Sequence, residues 1–99
     1  MKRLSPKLVQ TASGNLAHWC PGCGALHTLD RRMHTWDGNP EEPTVDQAAI
    51  HTFGPYFARP ATQKVCAYIL AQGRLTYLPQ TTHPLRRTTV DLPDLPEFV

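Results

Sequence analysis

Cys20-Pro21-Gly22-Cys23-Gly24 constrains this chain more than any other segment. Two residues between the thiols let both sulfurs turn inward on one cation. Pro21 stiffens the turn, and the glycines let backbone amides approach and donate to the sulfurs. This is the form of a zinc knuckle, found also in rubredoxin-like sites. Tetrahedral zinc takes four ligands, and Cys66 is the only other thiol in the sequence. A metal that gathers distant segments would also close the core of so short a chain. With 99 residues, 40% of them apolar and 10 of them Pro, one modest, turn-rich domain spanning residues 1–99 is expected.

The spacing runs Cys-x2-Cys, then 42 residues, Cys, 16 residues and His. His83 is the preferred fourth ligand, because a hairpin after Cys66 brings the chain back at about Pro79 and leaves a few residues to curl toward the site. His27 competes, since it leaves the knuckle on an adjacent strand and could reach back. His18, His34 and His51 are further candidates, although surface or hydrogen-bonded roles suit them better.

Turn signals recur at Ser13-Gly14-Asn15, Pro21-Gly22, Asp37-Gly38-Asn39-Pro40, Gly54-Pro55, Gln72-Gly73 and Pro93. Short strands fit between them. The fold expected is mainly β: a small zinc-ribbon-like domain of hairpins around the knuckle, with at most one short helix, for which Val45 to Phe53 is the only stretch left by the Pro spacing. One hairpin should pair Val65–Leu70 with Arg74–Leu78 about Gln72-Gly73, setting Leu70 opposite Leu75 and Tyr68 opposite Tyr77. Cys66, Tyr68, Leu70, Leu75 and Tyr77 then share a face. A second hairpin should join Leu16–Trp19 to Ala25–Leu29 across the knuckle, and Thr88–Leu92 should form a last strand. Trp36, beside the Asp37-Gly38 turn, is expected to cover an edge of the core.

Three cysteines cannot all pair as disulfides, and Met1-Lys2-Arg3-Leu4-Ser5-Pro6 lacks the apolar stretch of a secretory signal, so a reducing cytoplasm is expected. No run reaches the roughly 18 apolar residues of a membrane-spanning helix. A formal charge of +2, gathered at Lys2, Arg3 and Lys7, at Arg31-Arg32 and at Arg86-Arg87, is weaker than the dense basic stripe of most nucleic-acid binders. Thiol–disulfide exchange would want the Cys-x-x-Cys pair opening a helix in a βαβ setting, which is absent. A catalytic zinc would need an open position and a carboxylate base, and nothing fixes Glu41, Glu42 or Asp46 near the metal. One structural zinc ion and no catalytic residues are therefore expected.

Cys20-Pro21-Gly22-Cys23, Trp36-Asp37-Gly38-Asn39 with Glu42-Pro43-Thr44, Val65-Cys66 with Gly73–Leu78, Thr82-His83 and Thr89–Asp94 together resemble a family of small bacteriophage and prophage proteins, in an order that covers most of the chain. Some members carry the label of an ammonia monooxygenase. That activity belongs to a membrane-embedded copper complex, and this sequence has neither span nor copper-like ligand set. The resemblance implies a metal-binding β fold with Cys20, Cys23, Cys66 and His83 on the family's recurrent Cys and His positions. Two departures stand out: Ala67 follows the third Cys where members often have His, and Thr81 stands where members often have Cys, which places more weight on His83.

The function expected from size, stapled scaffold, absent catalytic set and resemblance is that of a non-enzymatic phage accessory protein that binds a host or phage protein, acting on host transcription or on a defence system. The alternative is a nucleic-acid-binding zinc ribbon, with the arginine pairs on phosphates and Trp36 or Tyr77 stacking bases. A metal-dependent hydrolase is the third class.

Overall fold

The computed structural model describes residues 1–53 and 64–99. These contain eight strands and no helix: β1 (Lys2–Arg3), β2 (Val9–Gln10), β3 (Leu16–Cys20), β4 (Ala25–Leu29), β5 (Ala49–Phe53), β6 (Lys64–Ala71), β7 (Arg74–Tyr77) and β8 (Thr89–Asp91). They form two four-stranded antiparallel sheets, β1-β2-β3-β4 and β5-β6-β7-β8. Each sheet is a meander in which every strand pairs with its chain neighbour.

The β6–β7 hairpin has the expected register, Tyr68 opposite Tyr77 and Leu70 opposite Leu75. Its cause is the two-residue turn, where Gln72 (φ 51°) and Gly73 (φ 73°) both take the left-handed conformation that matches strand twist. Alternation then turns Cys66, Tyr68, Leu70, Leu75 and Tyr77 inward, each no more than 1% exposed. The β3–β4 hairpin pairs Leu16 with Leu29 and Cys20 with Ala25, and Gly24 (φ 63°) closes it by donating its amide to the Cys20 carbonyl at 2.8 Å.

Both sheets feed one core, with Leu16, Cys20 and Leu29 from the first and Cys66, Tyr68, Leu70, Leu75 and Tyr77 from the second. Trp36 packs against this core from the β4–β5 connection, where it bridges Val45, as an edge-covering tryptophan should. On the other face of the first sheet, Val9 and Ala17 are covered by Leu95 of the C-terminal segment. The Leu95 amide donates to the Pro6 carbonyl at 2.7 Å.

The helix expected over Val45 to Phe53 does not form. Val45 donates its amide to the Leu70 carbonyl, the Asp46 carboxylate accepts the Thr35 amide, and Gln47 turns to φ 60°. Ala49–Phe53 then pairs along β6, with Ile50 opposite Ala67 and His51 opposite Cys66. Pairing to the open edge of β6 satisfies these backbone groups, so tertiary pairing overrides the weak helical preference of two turns. The last strand is Thr89–Asp91, one residue shorter at each end than expected, and the short β1–β2 ribbon has no counterpart in the sequence reading.

Candidate metal centre

Four donors converge where the two sheets meet. Cys20 ends β3 and is fully buried, Cys23 follows in the knuckle and is half-buried, and Cys66 lies in β6 and is fully buried. His83 arrives on the segment after β7. The ligand atoms of Cys20, Cys23, Cys66 and His83 all lie within 4.8 Å of one another, so the set could hold a metal ion. Cys20 Sγ and Cys66 Sγ are 3.8 Å apart, and Cys66 Sγ is 3.5 Å from His83 Nε2.

His83 is delivered by a pair of threonines that sequence reasoning missed. Strand β7 covers β6 only from Tyr68 to Ala71, which leaves the edge beside Cys66 to other partners. Thr81 Oγ accepts the Ala67 amide at 3.0 Å and donates to the Ala67 carbonyl at 2.7 Å. Thr82 Oγ accepts the Val65 amide at 3.0 Å, and the Thr82 amide donates to the Val65 carbonyl at 2.9 Å. Hydroxyls thus continue the ladder on both sides of Cys66, and the next residue is His83. The signal was Thr81-Thr82 two residues beyond Pro79, where the uncovered part of β6 needs donors and acceptors.

The electrostatics of the thiols follow from crowding. Hydrogen bonding from Cys66, then from His27, Tyr77 and the Cys23 amide, holds the Cys20 thiol far below its ordinary value despite burial. The Tyr77 hydroxyl is 3.1 Å and the Cys23 amide 3.4 Å from Cys20 Sγ. Cys66 is pushed up by its hydrogen bond to Cys20 and by burial, and Cys23 by burial and by the Cys20 charge. Without a cation, therefore, one sulfur ionises and its charge keeps the other two protonated. The Leu85 amide donates to His83 Nδ1 at 3.2 Å, so the metal-free ring keeps its proton on Nε2, facing Cys66.

Beside the thiols lies a cluster of rings absent from the sequence reading. The Tyr68 hydroxyl stands 2.5 Å from His18 Nε2 and 3.0 Å from His51 Nε2. His18 Nδ1 lies 3.3 Å from the Trp19 carbonyl, which only a protonated Nδ1 can serve. Tyr68 accordingly donates to His18 and accepts from His51. Burial, and secondarily the neighbouring His27, brings both His18 and His51 down to about 4, so both are neutral at pH 7. His27 stacks on His51 at 4.0 Å and hydrogen-bonds Cys20.

None of the four competing histidines joins the converging set: His18 and His51 hold Tyr68, His27 supports Cys20, and His34 faces the Asp46 carbonyl at 3.1 Å. Compared with protein-family models, with curated proteins and with solved structures, the chain matches none.

Proposed function

We propose that this chain is a small non-enzymatic binding domain, of the kind bacteriophages use as accessory proteins, stapled by one structural zinc ion at Cys20, Cys23, Cys66 and His83. The observation that carries the proposal is the converging set of three thiols and one imidazole. With Zn–S bonds of about 2.3 Å and Zn–N bonds of about 2.0 Å, a tetrahedral ion has S···S edges of about 3.8 Å and S···N edges of about 3.5 Å. The Cys20–Cys66 and Cys66–His83 edges, 3.8 Å and 3.5 Å, fit those lengths. Hard cations prefer oxygen donors, which the set lacks. Four protein donors fill the coordination shell, with no position left for a reacting water, and this favours a structural over a catalytic ion.

A protein partner is supported by exposed apolar side chains. Met33 and Ile50, 69% and 61% exposed, line one groove with His34 and His51. The nucleic-acid alternative draws less support, since the Arg32 guanidinium is held by Asp30 at 2.9 Å and that of Arg31 lies over the Trp36 ring. Among the described residues no helix is long and apolar enough to cross a membrane.

Elemental analysis of protein purified without added metal should give one zinc per chain, and absence of both zinc and iron would sink the staple. Pull-down from infected-cell lysate, with and without nuclease, should retain a nuclease-resistant protein partner. Capture that disappears with nuclease would transfer the function to nucleic-acid binding.

A further inference from the structure

On the reading of the four donors as a metal site, we propose that Gly22 is the positioning residue that lets His83 serve as fourth ligand. Gly22 is not among the residues with positive φ, so its backbone is open to any side chain. Space is what demands glycine there. A Cβ built on Gly22 falls inside the His83 imidazole, far closer than the 3.0 Å limit of real contacts to Cε1 and Nδ1, and 2.5 Å from Nε2. The ring therefore lies directly on the knuckle backbone.

A second neighbour crowds the ring. Tyr77 meets it edge-on, with centroids 4.5 Å apart at 85°, and the Tyr77 hydroxyl is itself engaged with Cys20. The imidazole packs against both Gly22 and Tyr77, with Nε2 toward Cys66. A methyl group at position 22 must drive it outward, and because His83 is half-exposed the ring can go. The fold survives this and the ligand set does not: three thiolates remain, and water takes the fourth place.

Gly24, two residues on, is the internal contrast. Its φ is 63° and nothing lies within 4 Å of a Cβ built there. A side chain at position 24 strains the turn but touches no ligand.

The test uses the full chain loaded with cobalt(II), whose visible spectrum reports its donors, together with chelator competition for zinc. Gly22→Ala should show the spectrum of His83→Ala and lose about 10- to 100-fold in zinc affinity, as loss of a ligand's support does. Adding Gly22→Ala to His83→Ala should cost no more than about a further twofold, since residues acting through one contact are not additive. Gly24→Ala should melt at a lower temperature with a wild-type spectrum. A wild-type spectrum and affinity in Gly22→Ala, or fully additive losses in the double variant, overturns the role of Gly22 and leaves the metal site standing. Wild-type protein that takes up neither metal overturns both.

Discussion

Binding a cation at Cys20, Cys23, Cys66 and His83 should displace about two protons near neutral pH, and the count follows from the environment of each thiol. Cys20 is held ionised by its donors, whereas Cys66 and Cys23 are pushed up by hydrogen bonding, burial and the Cys20 charge. A metal site needs all three as thiolates. Two sulfur protons must then leave. Acid therefore opposes loading. Apparent zinc affinity should rise by about two orders of magnitude per pH unit, or about 2.7 kcal/mol, as two protons are linked to binding.

Competition against a chromophoric chelator of known proton linkage, between about pH 6.5 and 7.5, measures the slope, and an indicator dye in weak buffer counts the protons directly. A slope near three would show Cys20 to be an ordinary thiol, and the hydrogen bonds assigned to it would not be acting. A slope near zero would mean that three thiolates coexist without a cation, contrary to the crowding within 4.8 Å.

Two further outcomes are expected. Tyr68→Phe removes the hydroxyl shared by His18 and His51, leaving the buried His18 Nε2 unpaired at about 1 to 3 kcal/mol and the part-buried His51 Nε2 without its partner at less; urea unfolding should show a loss of about 1 to 3 kcal/mol, with metal content unchanged. Cys66→Ser removes the donor that would tie the second sheet to the knuckle in the proposed zinc site, and structural zinc in small domains contributes on the order of 10 kcal/mol; losing about a third of that should lower the melting temperature by about 15 °C or more, and an unchanged melt would show that the core alone joins the sheets.

The parts of the fold legible in the sequence are those decided locally. Gln72-Gly73 sets the register of its hairpin, and strict alternation from Cys66 to Tyr77 sets the buried face. The knuckle likewise declares itself, because Cys-Pro-Gly-Cys needs only its own turn to aim two sulfurs. Val45–Phe53 misled for the opposite reason. Val45 and Ala49 are both buried and four residues apart, a helical spacing, yet their burial comes from two separate events, a bridge to Trp36 and pairing with Tyr68. No local pattern records a partner strand that begins at Lys64.

The site divides along the same line. Cys20, Cys23, Cys66 and His83 could be listed from residue type and spacing, but the reason His83 prevails over His27 could not. His27 enters the interior one strand away from the knuckle, and there it meets Cys20 as a hydrogen-bond partner and His51 as a stacking surface. His83 prevails because Thr81 and Thr82 finish the ladder that β7 leaves incomplete and because Gly22 has no side chain where the ring must lie. Both conditions are contacts between segments that are not neighbours in sequence: the threonines reach back 14 and 17 residues to Ala67 and Val65, and His83 meets Gly22 from the far side of the chain. Since each sheet is a meander of chain neighbours, what the sequence leaves unwritten is how the two meet, and the four donors sit at that meeting: Cys20 and Cys23 on the first sheet's hairpin, Cys66 in the second sheet, His83 on the segment tied to its edge. A cation bound there would reinforce the shared core at a junction that local pairing cannot supply, which is why metal loading and sheet docking should rise and fall together.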